Sequence, residues 1–209
     1  MTKTIELAIF DYDGVIVDSF RDVHRAYVEI CSQLGGRYFN DINDFKKQYN
    51  SYNNHVDFLD SLGIAKEKHA QADEIFKAEL KKIEPVFFDG IGETLRTIYS
   101  SMDMEIVSSG HRSEIIPRLA KQDILHLFMC ISACEINGKY FHKAAPIKDA
   151  VARYTEHSNE AVMIGDRDVD FISAREAGIP AENIILVDYG WGYNRKKMQE
   201  QGYCLETRV

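Results

Sequence analysis

The stretch "AIFDYDGVIVDS", residues 8–19, sets Asp11 and Asp13 one residue apart at the close of an apolar run, with Gly14 behind the second acid and Asp18 further on. The run before them, "IELAIF" at 5–10, is short and apolar, as a buried strand is. The two acids break that strand. From Ser19 to Leu34 the apolar residues Val23, Ala26, Tyr27, Ile30, Cys31 and Leu34 recur at helical spacing. That predicts an amphipathic helix, ended by Gly35–Gly36. Asp18, just before it, is read as the helix cap.

Residues 41–84 continue in helical rhythm with no strand pattern. "DINDFKKQY" opens on Asp41 as N-cap, "NSYNNH" at 50–55 reads as a polar loop, and 66–83 sets Ala72, Ile75, Phe76, Leu80 and Ile83 on one face. After Pro85 the rhythm changes. Helices at 91–101, 113–121, 147–154 and 171–177 alternate with strands in "MEIVSSG", "LFMCISA", "AVMIG" and "NIILV", and "EINGKYF" reads as a hairpin turning at Asn137–Gly138. Such alternation predicts an α/β fold with a Rossmann-like parallel sheet covered on both faces. The expected division is a core of residues 1–17 and 86–209, with an all-helical cap of residues 18–85 inserted after the first strand.

The bulk composition agrees with that size. In 209 residues there is room for one good core and a small second unit. The net charge of −8 argues against nucleic acid as the main partner, since phosphate backbones reward basic surfaces. No run of about 18 apolar residues predicts a membrane span. Cys31, Cys130, Cys134 and Cys204 form no CxxC pair and no metal-ligand spacing; with no secretory leader in "MTKTIELAIF", a cytoplasmic protein with free thiols is expected.

In open α/β sheets ligands bind beyond the carboxyl ends of the strands. Asp11 and Asp13 follow the first strand. Ser108, Ser109 and Gly110 follow the second, and Asp166, with Asp170 four residues on, follows "VMIG". Lys143 precedes a helix in "HKAAP". Like charges gathered so closely repel by about 4 kcal/mol per pair at about 4 Å and an effective dielectric near 20, so the acids call for a cation. Oxygen donors without a His or Cys cluster favour Mg²⁺, which also takes substrate phosphate. Lys143 and the Ser108 hydroxyl suit the remaining phosphate oxygens. One aspartate can attack phosphorus while another, two residues on, handles the leaving-group proton.

"FDYDGVIVDS" resembles the first motif of the haloacid dehalogenase superfamily, Mg²⁺-dependent phosphotransferases. "IVSSG" is similar to its second motif, Lys143 in "KAAP" to its third-motif lysine, and "IGDRDVD" to its fourth, GDxxxD; they come in the family's order. The helical insert resembles the cap of the phosphoglycolate phosphatase and β-phosphoglucomutase branch. The resemblance implies Asp11 as nucleophile and metal ligand. It implies Asp13 as general acid and base with its backbone carbonyl on the metal, and Asp166 as a metal ligand. Asp170 would orient Asp166 or a metal-bound water, and Ser108, Ser109 and Lys143 would hold the phosphoryl group. The activity implied is hydrolysis of a small phosphate monoester, of phosphoglycolate, sugar-phosphate or nucleotide type, through an aspartyl-phosphate on Asp11. The alternatives are a phosphomutase of the same family and a non-catalytic phosphate-sensing or partner-binding module on the same fold.

Outside the motifs, Asn53, Asn54 and His55 are candidates to touch the leaving group, against the plainer reading of a polar loop. Arg21 and Arg37 are further cap candidates. Arg167 stands where relatives carry a small residue, and either substrate or an acid is its expected partner. His111 and His142 are read as structural or surface residues, Asp168 as solvated, and Trp191 and Tyr193 as packing residues.

Overall fold

The structure, a computed structural model, describes residues 4–52, 55–82, 84, 86–135, 141–200 and 202–203. Five parallel strands form its sheet: β1 (Leu7–Phe10), β4 (Asp103–His111), β5 (Cys130–Cys134), β6 (Ala161–Gly165) and β7 (Ile184–Leu186), in the order β5-β4-β1-β6-β7. β1 lies at the centre, with Phe10 opposite Ile106 on one side and Ile164 on the other. Its acidic sequel therefore leaves the sheet at mid-edge.

Side chains alternate across a strand, and β1 shows the consequence. Ala8 and Phe10 join one core with Leu95 of α5 (Ile91–Tyr99) and Ile115 and Leu119 of α6 (Arg112–Lys121). Leu7 and Ile9 join the other, with Ile147 and Ala150 of α7 (Ala144–Tyr154) and Phe171 and Ala174 of α8 (Asp168–Glu176). Because both faces are covered, the strand is apolar throughout rather than alternating.

Between β1 and the rest stand α1 (Phe20–Leu34), α2 (Ile42–Tyr49), α3 (His55–Ser61) and α4 (His69–Lys81). They share a core of their own, in which Phe45 and Phe58 are fully buried and Tyr27 touches the rings of Phe45, Tyr49, Phe58 and Phe76. All six α1 residues expected on its inner face are buried, and Gly35 closes the helix at φ 86°. Asp41 caps α2, accepting from the amides of Asn43 and Asp44. The two chain crossings into and out of this helical unit pair with each other: β2 (Val17–Asp18) runs antiparallel to β3 (Val86–Phe87). Two-residue strands leave no periodic trace, so neither shows in the sequence.

Several expectations are corrected here. Asp18 is exposed in β2, and Ser19 rather than Asp18 precedes α1, so Asp18 caps nothing. Asp168 is not merely solvated; its Oδ1 accepts the Asn194 amide at 2.8 Å. His55 does not belong to a loop but begins α3. α7 begins at Ala144, before Pro146, and α8 at Asp168, because Asp170 accepts the amides that open it. The hairpin turn at Asn137–Gly138, Cys204, Ile83 and the candidates Asn53 and Asn54 lie outside the described residues. Among the described residues no helix is long and apolar enough to cross a membrane.

Candidate active site

The chain leaves β1 through a tight turn. Asp11 N–H donates to Ile164 O at 2.9 Å, and Gly14 N–H to Val17 O at 2.8 Å. Gly14 sits at φ 82°, and a Cβ there would collide with Asp166 Oδ2 and the Trp191 ring. Gly190 is equally confined, because its Cβ would strike Gly14 O and Asp166 Oδ2. Two glycines thus let the strand ends of β1, β6 and β7 close on one point. The glycine in DYDG is required by that approach.

At this point lies a buried charge network. Lys143 Nζ stands 2.7 Å from Asp11 Oδ2 and 2.6 Å from Asp170 Oδ1. Asp170 Oδ2 accepts the amides of Asp166 and Arg167 at 3.1 and 3.0 Å, which anchors the start of α8. Asp11 Oδ1 accepts the Tyr12 amide at 2.7 Å. Asp166 Oδ2 accepts the Trp191 amide, while its buried Oδ1 has no partner among the described residues. Carboxylate oxygens of Asp11, Asp166 and Asp170 lie within 4.8 Å of one another.

Three acids against one lysine leave the cluster short of positive charge. Burial, and then the neighbouring Asp170 against the relief from Lys143, pushes the Asp11 carboxyl up to about 7. Burial likewise raises Asp166 well above the carboxylate range, with Asp170 and Asp11 adding to it. Lys143 would be lowered by burial, but Asp11 and Asp170 outweigh that and raise it. Burial also raises Asp13, opposed by the Ser19 hydroxyl and the cations Arg118 and Lys143. The orphaned oxygen of Asp166, the all-oxygen donor set and the unbalanced charge fit a hard divalent cation.

β4 widens at its end. Ser108 pairs with Ala133 and His111 with Cys134, so Ser109 and Gly110 are bulged out of the ladder rather than forming a simple turn. The Ser108 hydroxyl accepts the Gly110 amide at 3.1 Å and is 1% exposed, whereas Ser109 is exposed.

Above this edge opens a cavity of about 450 Å³, lined from both the sheet and the helical unit. Asp11, Asp13, Ser108, Ser109, Lys143 and His55 all face it, while Asp166 and Asp170 stand behind Asp11 and Lys143. Arg167 also lines it. Its guanidinium donates to Tyr52 O at 3.1 Å and lies 4.9 Å from the Tyr49 ring, so its partner is the helical unit rather than an acid. His111 faces the cavity as well. His142 is on the surface, 3.5 Å from Glu176. Arg21 and Arg37 do not line the cavity. Trp191 packs on Phe20 and Tyr49, yet it also lines the cavity and its amide holds Asp166.

Sequence reasoning missed Arg118, Glu114, Tyr27 and Asp73, all of which line the cavity. A signal existed. Residues 111, 114, 115 and 118 recur at helical spacing directly after a strand end, and 69, 73, 76 and 80 do so along α4. Such faces lack a motif, and only the fold shows that they look inward.

A family model described as haloacid dehalogenase-like hydrolase matches residues 8–184. No curated protein matches the chain. Among solved structures, a predicted phosphatase from Clostridium acetobutylicum superposes at TM-score 0.78 with 20% identity, covering 95% of this chain and 91% of its own. A haloacid dehalogenase-like family hydrolase from Streptococcus pneumoniae reaches 0.77 with 23% identity, over 96% and 92%. A predicted phosphoglycolate phosphatase from Haemophilus somnus reaches 0.74 with 17% identity, over 93% and 89%.

Proposed function

The chain belongs to the haloacid dehalogenase-like hydrolase family, and from that premise we propose that it is a Mg²⁺-dependent phosphatase acting on small phosphate monoesters through an aspartyl-phosphate on Asp11. The observation that carries this reading is the convergence of Asp11, Asp13 and Lys143 on one cavity, with the orphaned Asp166 Oδ1 close behind Asp11. A binding module has no need of both a nucleophile and a proton donor at that place.

Asp11, Asp166 and the backbone carbonyl of Asp13 would hold the ion, which supplies Lewis-acid neutralisation of the phosphoryl charge. Lys143, kept protonated by Asp11 and Asp170, adds a fixed positive charge to the same end of the cavity. The Ser108 hydroxyl and the exposed Ser109 beside it suit phosphoryl oxygens. One Asp11 oxygen attacks phosphorus in line, and the bond to the ester oxygen breaks. Asp13, which burial keeps protonated more readily than an ordinary carboxyl, gives its proton to that oxygen. The ionised Asp13 then takes a proton from water, which attacks the phosphorus, releasing inorganic phosphate and restoring Asp11. Asp170 holds Lys143 and the Asp166 backbone in place.

Residues 18–85 act in this reading as a cap that covers the site, and the β2–β3 pairing of its two connections supports a hinge there. Cap coverage excludes bulk water during transfer. The partner is a small phosphorylated metabolite of phosphoglycolate, sugar-phosphate or nucleotide type. Free thiols at Cys31 and Cys130 suit a reducing cytoplasm.

The test is phosphate release from a panel of monoesters, with and without Mg²⁺, beside Asp11→Asn. Metal-dependent release that falls more than about a thousandfold in the variant supports the reading. Equal release by Asp11→Asn sinks the nucleophile assignment.

A further inference from the structure

Away from the sheet edge much of the cavity wall is apolar. Tyr27, Tyr49, Phe76, Leu80, Ile115 and Phe141 face it, and about 450 Å³ is far more than a phosphoryl group fills. The charged groups on that wall are already committed. His55 lies between the Tyr27 hydroxyl, 2.5 Å from Nδ1, and Asp73, 2.9 Å from Nε2. The hydrogen bond from His55 holds Asp73 below the ordinary carboxylate range, so this pair offers a ligand no net positive charge. His69 faces Ile64 O at 3.1 Å and Asp60 at 3.3 Å. Arg118 donates to Leu80 O at 3.0 Å and lies 3.7 Å from Glu114. Arg167 donates to Tyr52 O and lies over the Tyr49 ring.

Several buried polar atoms of the lining residues have no hydrogen-bond partner among the described residues: the Tyr12 hydroxyl, Ser19 Oγ, Trp191 Nε1 and His111 Nδ1. Burial, and then the Lys77 ammonium, lowers the His111 ring below its ordinary range, which disfavours its charged form. A second anionic group on the ligand would meet the carboxylates of Asp22, Asp73 and Glu114, while the two arginines of the wall are already held, Arg118 by Leu80 O beside Glu114 and Arg167 by Tyr52 O. A ring would meet aromatic faces on several sides.

Resting on the phosphatase reading above, we propose that the leaving group is an uncharged, ring-bearing alcohol, not a small carboxylate-bearing alcohol. The phosphoryl group sits at Lys143 and the ring against Tyr27, Phe76 and Ile115.

The test compares benzyl phosphate, ethyl phosphate and phosphoglycolate as substrates of the Mg²⁺-loaded protein. All three release alcohols of similar basicity, so differences report the cavity and not bond strength. kcat/KM for benzyl phosphate is expected to be about 10- to 100-fold above that of the other two, the range for burying one ring. Calorimetry with benzylphosphonate and phosphonoacetate gives a second reading that needs no turnover, and benzylphosphonate is expected to bind the tighter. Turnover favouring phosphoglycolate overturns the inference and leaves the phosphatase reading standing. Tighter benzylphosphonate binding with no ester hydrolysed supports the cavity's preference and overturns the phosphatase reading. A protein that neither binds nor turns over any of them overturns both.

Discussion

The sheet edge and the helical cap hold their side chains by opposite means. At the edge, charged groups are fixed by one another: Lys143 by two carboxylates, Asp170 by one lysine and two amides, Asp166 by the Trp191 amide. In the cap, position comes from ring against ring, around Tyr27, Phe45 and Phe58. Electrostatic fixing is directional and intolerant, because removing one member leaves another buried and unpaired. Packing is adaptable, and cores keep their fold when hydrophobic volume is conserved. On the proposed reading the chemistry belongs on the edge, where geometry is rigid, and selectivity on the packed wall, where the same scaffold accepts altered lining.

This contrast breaks most visibly at Lys143. Lys143→Met leaves Asp11 and Asp170 without their cation, and is expected to cost about 3–5 kcal/mol in a urea melt of the metal-free protein. Activity should fall by at least about a hundredfold even where the variant is folded. A variant that stays active would show that the lysine is merely structural.

Phe58→Ala probes the other region. Phe58 is fully buried among rings, and the truncation is expected to cost about 3–5 kcal/mol. The loss should appear as faster amide exchange across 20–81, while β1, β4 and β6 keep their protection. Equal loss of protection in the sheet would show that cap and core unfold as one, against the division at 18–85.

Titration sharpens the electrostatic half. The Asp11 carboxyl is raised from its ordinary 3.8 to about 7. A raised acid favours the folded state while protonated, so the metal-free protein should lose stability as pH climbs from about 4 to about 7. Cation binding needs the ionised form, so the Tm increment from saturating Mg²⁺ should be larger at pH 8 than at pH 5. An increment independent of pH would remove Asp11 from the metal site.

The smallest effect is expected where the two regions meet. Lys46 donates to Gly190 O at 2.8 Å, and Asn50 to the Trp191 and Gly192 carbonyls at 3.0 and 3.1 Å. The loop they grip also holds Asp166. Asn50→Ala removes two of these bonds, about 1 kcal/mol each at most, and should raise KM several-fold with kcat changed less. A change in kcat alone would mean that the latch acts through Asp166 rather than through cap closure.

The edge was legible in sequence because its chemistry demands fixed residue types at fixed spacings. Asp11, Asp13, Lys143, Asp166 and Asp170 each come from a strand end or helix start, and their convergence follows from parallel strand order. The α1 face could be read residue by residue, since one helix against one core gives a clean period. The cavity wall could not. Arg118 and Glu114 look like an ordinary exposed pair one helical turn apart, and only the placement of α6 beside β4 turns them inward. Asp18 misled for a local reason: an acid before a helix suggests a cap, but residues 17–18 are claimed by a strand pairing with 86–87, seventy residues away in sequence.

The central claim is a phosphoryl group carried on Asp11. The direct measurement is acid-quenched mass spectrometry of the protein mixed with substrate and Mg²⁺, with Asp13→Asn beside it to slow the second step. The account predicts one added phosphoryl mass, mapped to the peptide containing Asp11 and longer-lived in the variant. Rapid turnover with no label on that peptide in either protein would contradict it.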